Sequence, residues 1–207
     1  MNYSILMADI INSSGKDSLL LMSHFKELVN TINRENEPNI ISPITITLGD
    51  EFQGITTSVR KGIELIFMLE ETIVKQDLSL KLRYVLTSGK IDTEINTKIA
   101  HGMLGPGLTN ARKQLNNLKG KQSRFLVDTG DFTHDIMVNK GFELYQSLVD
   151  DWKPKDLKII SAFFKDMDYK VVAESVNLDK SSVWRRKKSL KMTEYQTVKE
   201  IILYLLK

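Results

Sequence analysis

Residues 44–55, Ile44-Thr45-Ile46-Thr47-Leu48-Gly49-Asp50-Glu51-Phe52-Gln53-Gly54-Ile55, constrain the fold more than any other stretch. Apolar and β-branched residues alternate up to Leu48, Gly49-Asp50 interrupts them, and the run resumes through Phe52 and Ile55. That pattern predicts a β-hairpin whose turn carries two carboxylates. Its natural partner is a first strand, Tyr3 to Ile10, an apolar run that ends abruptly in Asp9. A carboxylate at the end of a buried strand is costly unless a cation or hydrogen-bond donors compensate it. Set side by side, Asp9 and Asp50 would offer oxygens to a hard cation, Mg²⁺ or Mn²⁺, with the backbone carbonyl of Ile10 as a further ligand. The other reading is structural: Asp50 serves a tight Gly-Asp turn and Asp9 caps the segment after it. The pleat of the hairpin turns Glu51 away from its neighbour, to a supporting position or out of the site.

Beyond Asp9-Ile10, a short polar loop containing Asn12, Ser13, Ser14 and Lys16 leads into a helix expected over residues 17–34, with Leu20, Leu21, His24, Leu28 and Ile32 at helical spacing. Backbone N–H groups of such a loop, near a helix start, are placed to receive phosphate oxygens, although an ordinary polar connection reads the same way. A second helix is expected over 59–75 and a strand over 80–86. The resulting order is βαββαβ, an α+β core of the ferredoxin-like or palm kind, with two helices on one face of an antiparallel sheet. Ile99 to Arg112 follows, with three glycines around Pro106. It is either a plain Gly-Pro connection or a loop that brings backbone and a helix N-terminus close to a ligand. A strand at 123–127 and a helix at 135–149 close this first part.

Charge divides the chain at the same point. Residues 1–150 carry 16 Lys+Arg and 18 Asp+Glu, a balance of −2, whereas 151–207 carry 13 and 8, a balance of +5. Two domains are therefore expected, 1–150 and 151–207, with the boundary in the charged, Pro-containing run Asp150 to Asp156. There is no cysteine. The N-terminus has no signal-peptide pattern, and no apolar run approaches the roughly 20 residues of a membrane helix, so a soluble cytoplasmic protein is expected.

These residues are similar to known families. Asp9-Ile10 after a first strand, with Gly49-Asp50 on a hairpin, looks like the palm-type core of class III nucleotidyl cyclases and of GGDEF domains, although Leu48 stands where the latter have their first glycine. Residues 169–188 resemble the helix-turn-helix pattern: Ala173 stands where two helices approach closely and Asn177 where the turn is left-handed, with Val172, Val176, Leu178 and Val183 at the apolar positions. The whole arrangement, Ala8-Asp9-Ile10, Leu48 to Gly54 and the C-terminal pattern, resembles the SatD family over nearly the full chain.

The cyclase resemblance implies a homodimer in which metal acids of one chain, Asp9 and Asp50, meet Arg112 of the other. Asn12, Ser13, Ser14, Thr109 and Arg112 are the expected nucleotide contacts, and Arg112 is the candidate catalytic group. In those cyclases an Asn and an Arg four residues apart contact ribose and phosphate. Here Asn110 and Arg112 are two apart and cannot share a helical face, so Thr109 is the better face-mate of Arg112. The helix-turn-helix resemblance implies duplex DNA as partner, contacted by Lys180, Ser181, Ser182, Arg185, Arg186, Lys187 and Lys188. The leading expectation is a DNA-binding regulator with a cyclase-like domain that takes metal and nucleotide. The alternative is a metal-dependent nucleotidyl cyclase or nucleotidyltransferase, and a third reading is a dimerisation scaffold.

Overall fold

The computed structural model describes residues 1–13 and 18–206. Strand β1 (Asn2–Ile10) is buried continuously from Ser4 to Ile10, as a strand covered on both faces must be. It lies at the centre of a five-stranded sheet of order β2-β3-β1-β4-β5. Helix α1 (Ser18–Asn36) follows it, and then the expected hairpin of β2 (Ile40–Leu48) and β3 (Glu51–Thr56). Gly49 takes a left-handed conformation (φ 49°) at the hairpin turn. Helix α2 (Val59–Lys75) and strand β4 (Leu82–Lys90) complete the βαββαβ order. β3 and β4 both run antiparallel to β1. Beyond them come α3 (Pro106–Leu118), β5 (Phe125–Asp128), which pairs parallel to β4, and α4 (Phe132–Val149).

Alternation along β1 sorts the core into two layers. Leu6, Ala8 and Ile10 point into the larger cluster, with Phe25, Leu28 and Ile32 of α1 and Ile63, Ile66 and Leu69 of α2. Ile5 and Met7 point the other way, against Ala111 and Leu115 of α3. The sheet face opposite α1 and α2 is thus partly covered by α3. This docking requires two glycines. A Cβ on Gly89 would lie 2.4 Å from the Gly107 Cα, and one on Gly107 would lie 2.8 Å from the Gly89 Cα. Backbone meets backbone there, which only glycine allows.

On the opposite layer, Arg124 joins four elements. It is 5% exposed and forks onto Glu70 of α2, with Nη1 to Oε1 at 2.9 Å and Nη2 to Oε2 at 2.6 Å. It also donates to the Leu82 carbonyl of β4 (3.1 Å) and to Asp150 at the end of α4 (3.2 Å). Tyr84 donates a further hydrogen bond to Glu70 (2.8 Å).

Four more helices, α5 (Leu157–Phe163), α6 (Tyr169–Val176), α7 (Lys180–Ser189) and α8 (Met192–Tyr204), make eight α-helices among the described residues. Helix α8 packs on Trp152 and Phe164 through Tyr195 and also lies on α4 and α2 of the first 150 residues. Gly141 of α4 receives the Ile202 side chain, and Arg60 of α2 donates to the Leu203 carbonyl at 2.6 Å. The Tyr195 ring sits 5.7 Å from that of Tyr145, and its hydroxyl donates to Glu71 at 3.0 Å. Ile202, Tyr195 and Val183 belong to the same hydrophobic cluster as Leu6 and Ile66.

Breaking the Arg124 fork leaves Glu70 charged and buried, a change that costs about 3–5 kcal/mol. Arg124→Ala is therefore expected to lower unfolding stability by that amount in urea titration, whereas Lys61→Ala, which removes a half-exposed partner of Glu64, should change it by less than about 1 kcal/mol.

Candidate functional site

The register of β1 sets three ionisable residues abreast. Asp9 stands opposite Glu51 on β3 and Arg83 on β4, so their side chains share the sheet face that α3 covers. Arg83 Nη1 lies 2.8 Å from both carboxylate oxygens of Asp9. Lys119, just past α3, reaches Asp9 at 3.4 Å and Glu51 at 3.5 Å, and Arg112 on α3 reaches Glu51 at 3.5 Å. Three cations thus face two carboxylates. Burial pushes the Asp9 carboxyl above the ordinary aspartate range, and Arg83 and Lys119 draw it back without cancelling that effect.

Beside this cluster a groove of about 680 Å³ runs between α3, the β2–β3 hairpin and the loop 101–104. Arg112 and the exposed Lys113, Asn116 and Asn117 line its helical wall; Thr47 and Gln53 line the hairpin wall. Gln53 donates to the Ala100 carbonyl and so ties the loop to the hairpin. The Thr47 hydroxyl is buried with no hydrogen-bond partner among the described residues. A cleft of this volume suits a small molecule of nucleotide size.

The sequence-predicted residues are distributed as follows. Asp50 sits in the hairpin turn, where its carbonyl accepts from the Ile10 N–H (2.9 Å) and its carboxylate accepts from Ser13 Oγ (2.7 Å). Ile10 itself is a core residue, 3% exposed. Asn12 is exposed and left-handed (φ 57°), while Ser14 and Lys16 lie outside the described residues. Thr109 is exposed on the first turn of α3 and donates to the Gly105 carbonyl (3.3 Å). Arg112 joins the cluster within its own chain through Glu51.

The expected Mg²⁺ or Mn²⁺ does not fit this donor set. Both oxygens of Asp9 are taken by Arg83, a carboxylate oxygen of Asp50 is taken by Ser13, and no group of three His, Cys, Asp or Glu residues suited to a metal occurs among the described residues. A buried carboxylate needs a compensating cation, and here side chains supply it. Glu51, expected either to support the site or to turn out of it, stands opposite Asp9 and faces Arg112 and Lys119. Arg83 and Lys119 went unnoticed in the sequence. The available signal was Arg83 itself, a lone charge in the apolar strand Leu82 to Leu86, which requires a counter-ion.

In the C-terminal helices, α6 and α7 meet at a short turn with Asn177 left-handed (φ 54°), and Asp179 caps α7 by accepting from the Ser182 N–H at 3.0 Å. Val183 is wholly buried. Lys180, Ser181, Trp184, Arg185 and Lys188 are exposed on one side of α7. Arg186 and Lys187 point elsewhere: Arg186 pairs with Asp156, and Lys187 donates to the Met167 carbonyl. Their half-buried intramolecular contacts separate them from the exposed basic face to which the sequence reading assigned them.

A profile described as the SatD family matches residues 3–206. No curated protein matches the chain. Among solved structures it is similar to a bacterial light-regulated adenylyl cyclase (12% identity, 61% of this chain and 74% of that chain covered, TM-score 0.46). It is also similar to the guanylate cyclase domain of RhGC from Catenaria anguillulae in complex with GTP (16% identity, 56% and 72% covered, TM-score 0.41). No described helix is long and apolar enough to cross a membrane.

If Arg83 takes the place of a metal at Asp9, wild-type protein titrated with Mn²⁺ should show no saturable loss of the free-ion paramagnetic resonance signal. Arg83→Ala, which frees both oxygens, should acquire it. Saturable Mn²⁺ binding by wild type that Asp9→Asn abolishes would show that the carboxylate prefers the metal.

Proposed function

This chain belongs to the SatD family, and on that premise we propose that its α/β core is a nucleotide-binding domain of cyclase-like design, holding the phosphate-bearing end of its ligand along α3. The observation that carries the reading is the groove of about 680 Å³ beside a cluster in which, among the described residues, Arg83, Arg112 and Lys119 face Asp9 and Glu51. The surplus positive charge lies on the α3 side, where Lys113 adds to it without an ion-pair partner among the described residues. Arginine and lysine side chains recognise phosphate by charge-assisted hydrogen bonds. With the acids already neutralised by side chains, binding in this reading needs no divalent ion.

Titration calorimetry with ATP and GTP in the presence of a chelator tests this directly. Saturable binding of at least one nucleotide is expected, and the double substitution Arg112→Ala/Lys113→Ala should weaken it at least about tenfold, equivalent to ~1.4 kcal/mol. Binding of neither nucleotide, or binding only when Mg²⁺ is added, would overturn the proposal.

A second reading, that residues 151–207 bind duplex DNA, is favoured by one specific feature. The exposed side of α7 presents Lys180, Arg185 and Lys188 after a short left-handed turn, with Lys188 stacked 4.2 Å over Trp184. Contacts from such residues to phosphate release counterions, so each one adds roughly 1 to the slope of log affinity against log salt. Replacing Arg185 or Lys188 by Ala should lower that slope by about 1 in fluorescence-anisotropy titrations. Lys187→Ala should leave it unchanged, because the Lys187 ammonium is occupied by Met167. DNA binding that is absent or indifferent to salt would leave this face without a nucleic-acid role.

A further inference from the structure

Helix α4 carries more apolar surface than its packing against the sheet uses. Val138, Phe142 and Tyr145 point inward, to the layer shared with α1 and α2. The outer side of the same helix exposes Phe132 (79%), Leu144 (61%), Met137 (52%) and Ile136 (44%), whereas no other helix among the described residues exposes more than two large apolar side chains. A helix that is apolar on opposite sides has a partner to find on each. Large apolar side chains gathered on an exposed face mark an interaction site.

The charges on this face say what fits it. Phe132, Ile136, Lys140 and Leu144 recur every fourth residue and so follow one line along the helix. Lys140, the charged member of that line, is paired with Glu143 beside it, Nζ to Oε1 at 2.9 Å and to Oε2 at 2.7 Å. Along the helix the face therefore reads apolar, positive, negative, apolar, and that order is complementary to its own reverse. Around a twofold axis, residue i of one copy meets residue j of the other and j meets i. Two copies laid antiparallel, with the axis level with the Lys140–Glu143 pair, bring Lys140 of each to Glu143 of the other and Ile136 and Met137 of each to Leu144 of the other. Sliding one helix by a turn in either direction would set like charges face to face, so the charges fix the register as well as the direction.

We propose that the outer face of α4 is a self-association surface on which a second copy of this chain docks, antiparallel and related by a twofold axis. Its apolar residues form the buried centre of the contact, and the reciprocal pairs between Lys140 and Glu143 select the orientation. This face belongs to the layer of α1 and α2, whereas Arg112 and the groove lie with α3 on the other side of the sheet. The pairing is therefore distinct from one that would carry Arg112 of one chain to Asp9 of another, and it does not rest on nucleotide binding.

Sedimentation equilibrium of the full chain over a range of loading concentrations tests the proposal, and a monomer–dimer equilibrium is expected. Lys140→Glu or Glu143→Lys alone sets like charges against each other across the axis and should weaken association at least about tenfold. An equimolar mixture of these two variants should regain it, because one then offers only acids and the other only bases at the paired positions. Leu144→Glu should abolish association. All three side chains are exposed, so the variants are expected to fold as wild type does, which circular dichroism checks. Wild type that stays monomeric at every concentration would overturn the proposal and leave the face to a different protein. A dimer that these substitutions leave intact would overturn it too, by placing the contact elsewhere, as would reversal variants that stay apart when mixed.

Discussion

The forked pair between Arg124 and Glu70 is the contact on which the rest of the packing depends. A guanidinium and a carboxylate withdrawn from water lose several kilocalories per mole of hydration each, and only near-complete hydrogen bonding restores the balance. Here the restoration is close to complete. Arg124 reaches Glu70, Asp150 and the Leu82 carbonyl, and Tyr84 adds a donor to Glu70. The Arg124 guanidinium also lies 4.4 Å from the Phe125 ring centroid. Because the participants sit on α2, β4, the approach to β5 and the end of α4, satisfying one arginine aligns four elements. Two planar groups forked together tolerate little sliding, which makes the pair a constraint on geometry more than a source of stability.

The opposite sheet layer is organised by an absence of side chains. Gly89 and Gly107 let α3 descend until its backbone touches β4, and that approach brings Arg112 and Lys119 over the ends of β1 and β3. The charged cluster and the groove beside it are therefore products of one close contact. A helix held a side chain farther away would leave Asp9 with Arg83 alone. The cluster also differs in kind from the Arg124 network: its lysine and outer arginine are about half exposed, so they are available to an incoming anion.

The C-terminal helices share the hydrophobic cluster of the sheet instead of forming a separate one. A ring-on-ring path runs from Tyr84 and Phe125 through Phe142 and Tyr145 to Tyr195 and Trp152. Close-packed interiors have little free volume and transmit strain between neighbouring rings. The position of α8, and through it of α7, is accordingly tied to the same layer that Arg124 aligns.

Local patterning made much of this legible. Alternation around Gly49-Asp50 identified the hairpin and its turn. The unbroken apolar run of β1 marked a buried strand, and helical spacing placed α2 at its observed bounds of Val59 and Lys75. Asn177 was recognisable as a left-handed turn residue because few other side chains tolerate that conformation. These features depend on neighbours within a few positions, which a sequence displays. The sequence by itself thus determined the elements, their order and the acid at the end of β1. Only the tertiary structure decided what neutralises that acid, since Arg83 is 74 residues from Asp9 and meets it through strand register. It likewise decided that Arg186 turns inward to Asp156 and that α8 lies on α4. Such pairings are chosen by desolvation and packing among distant residues, and those quantities exist only once the chain has folded.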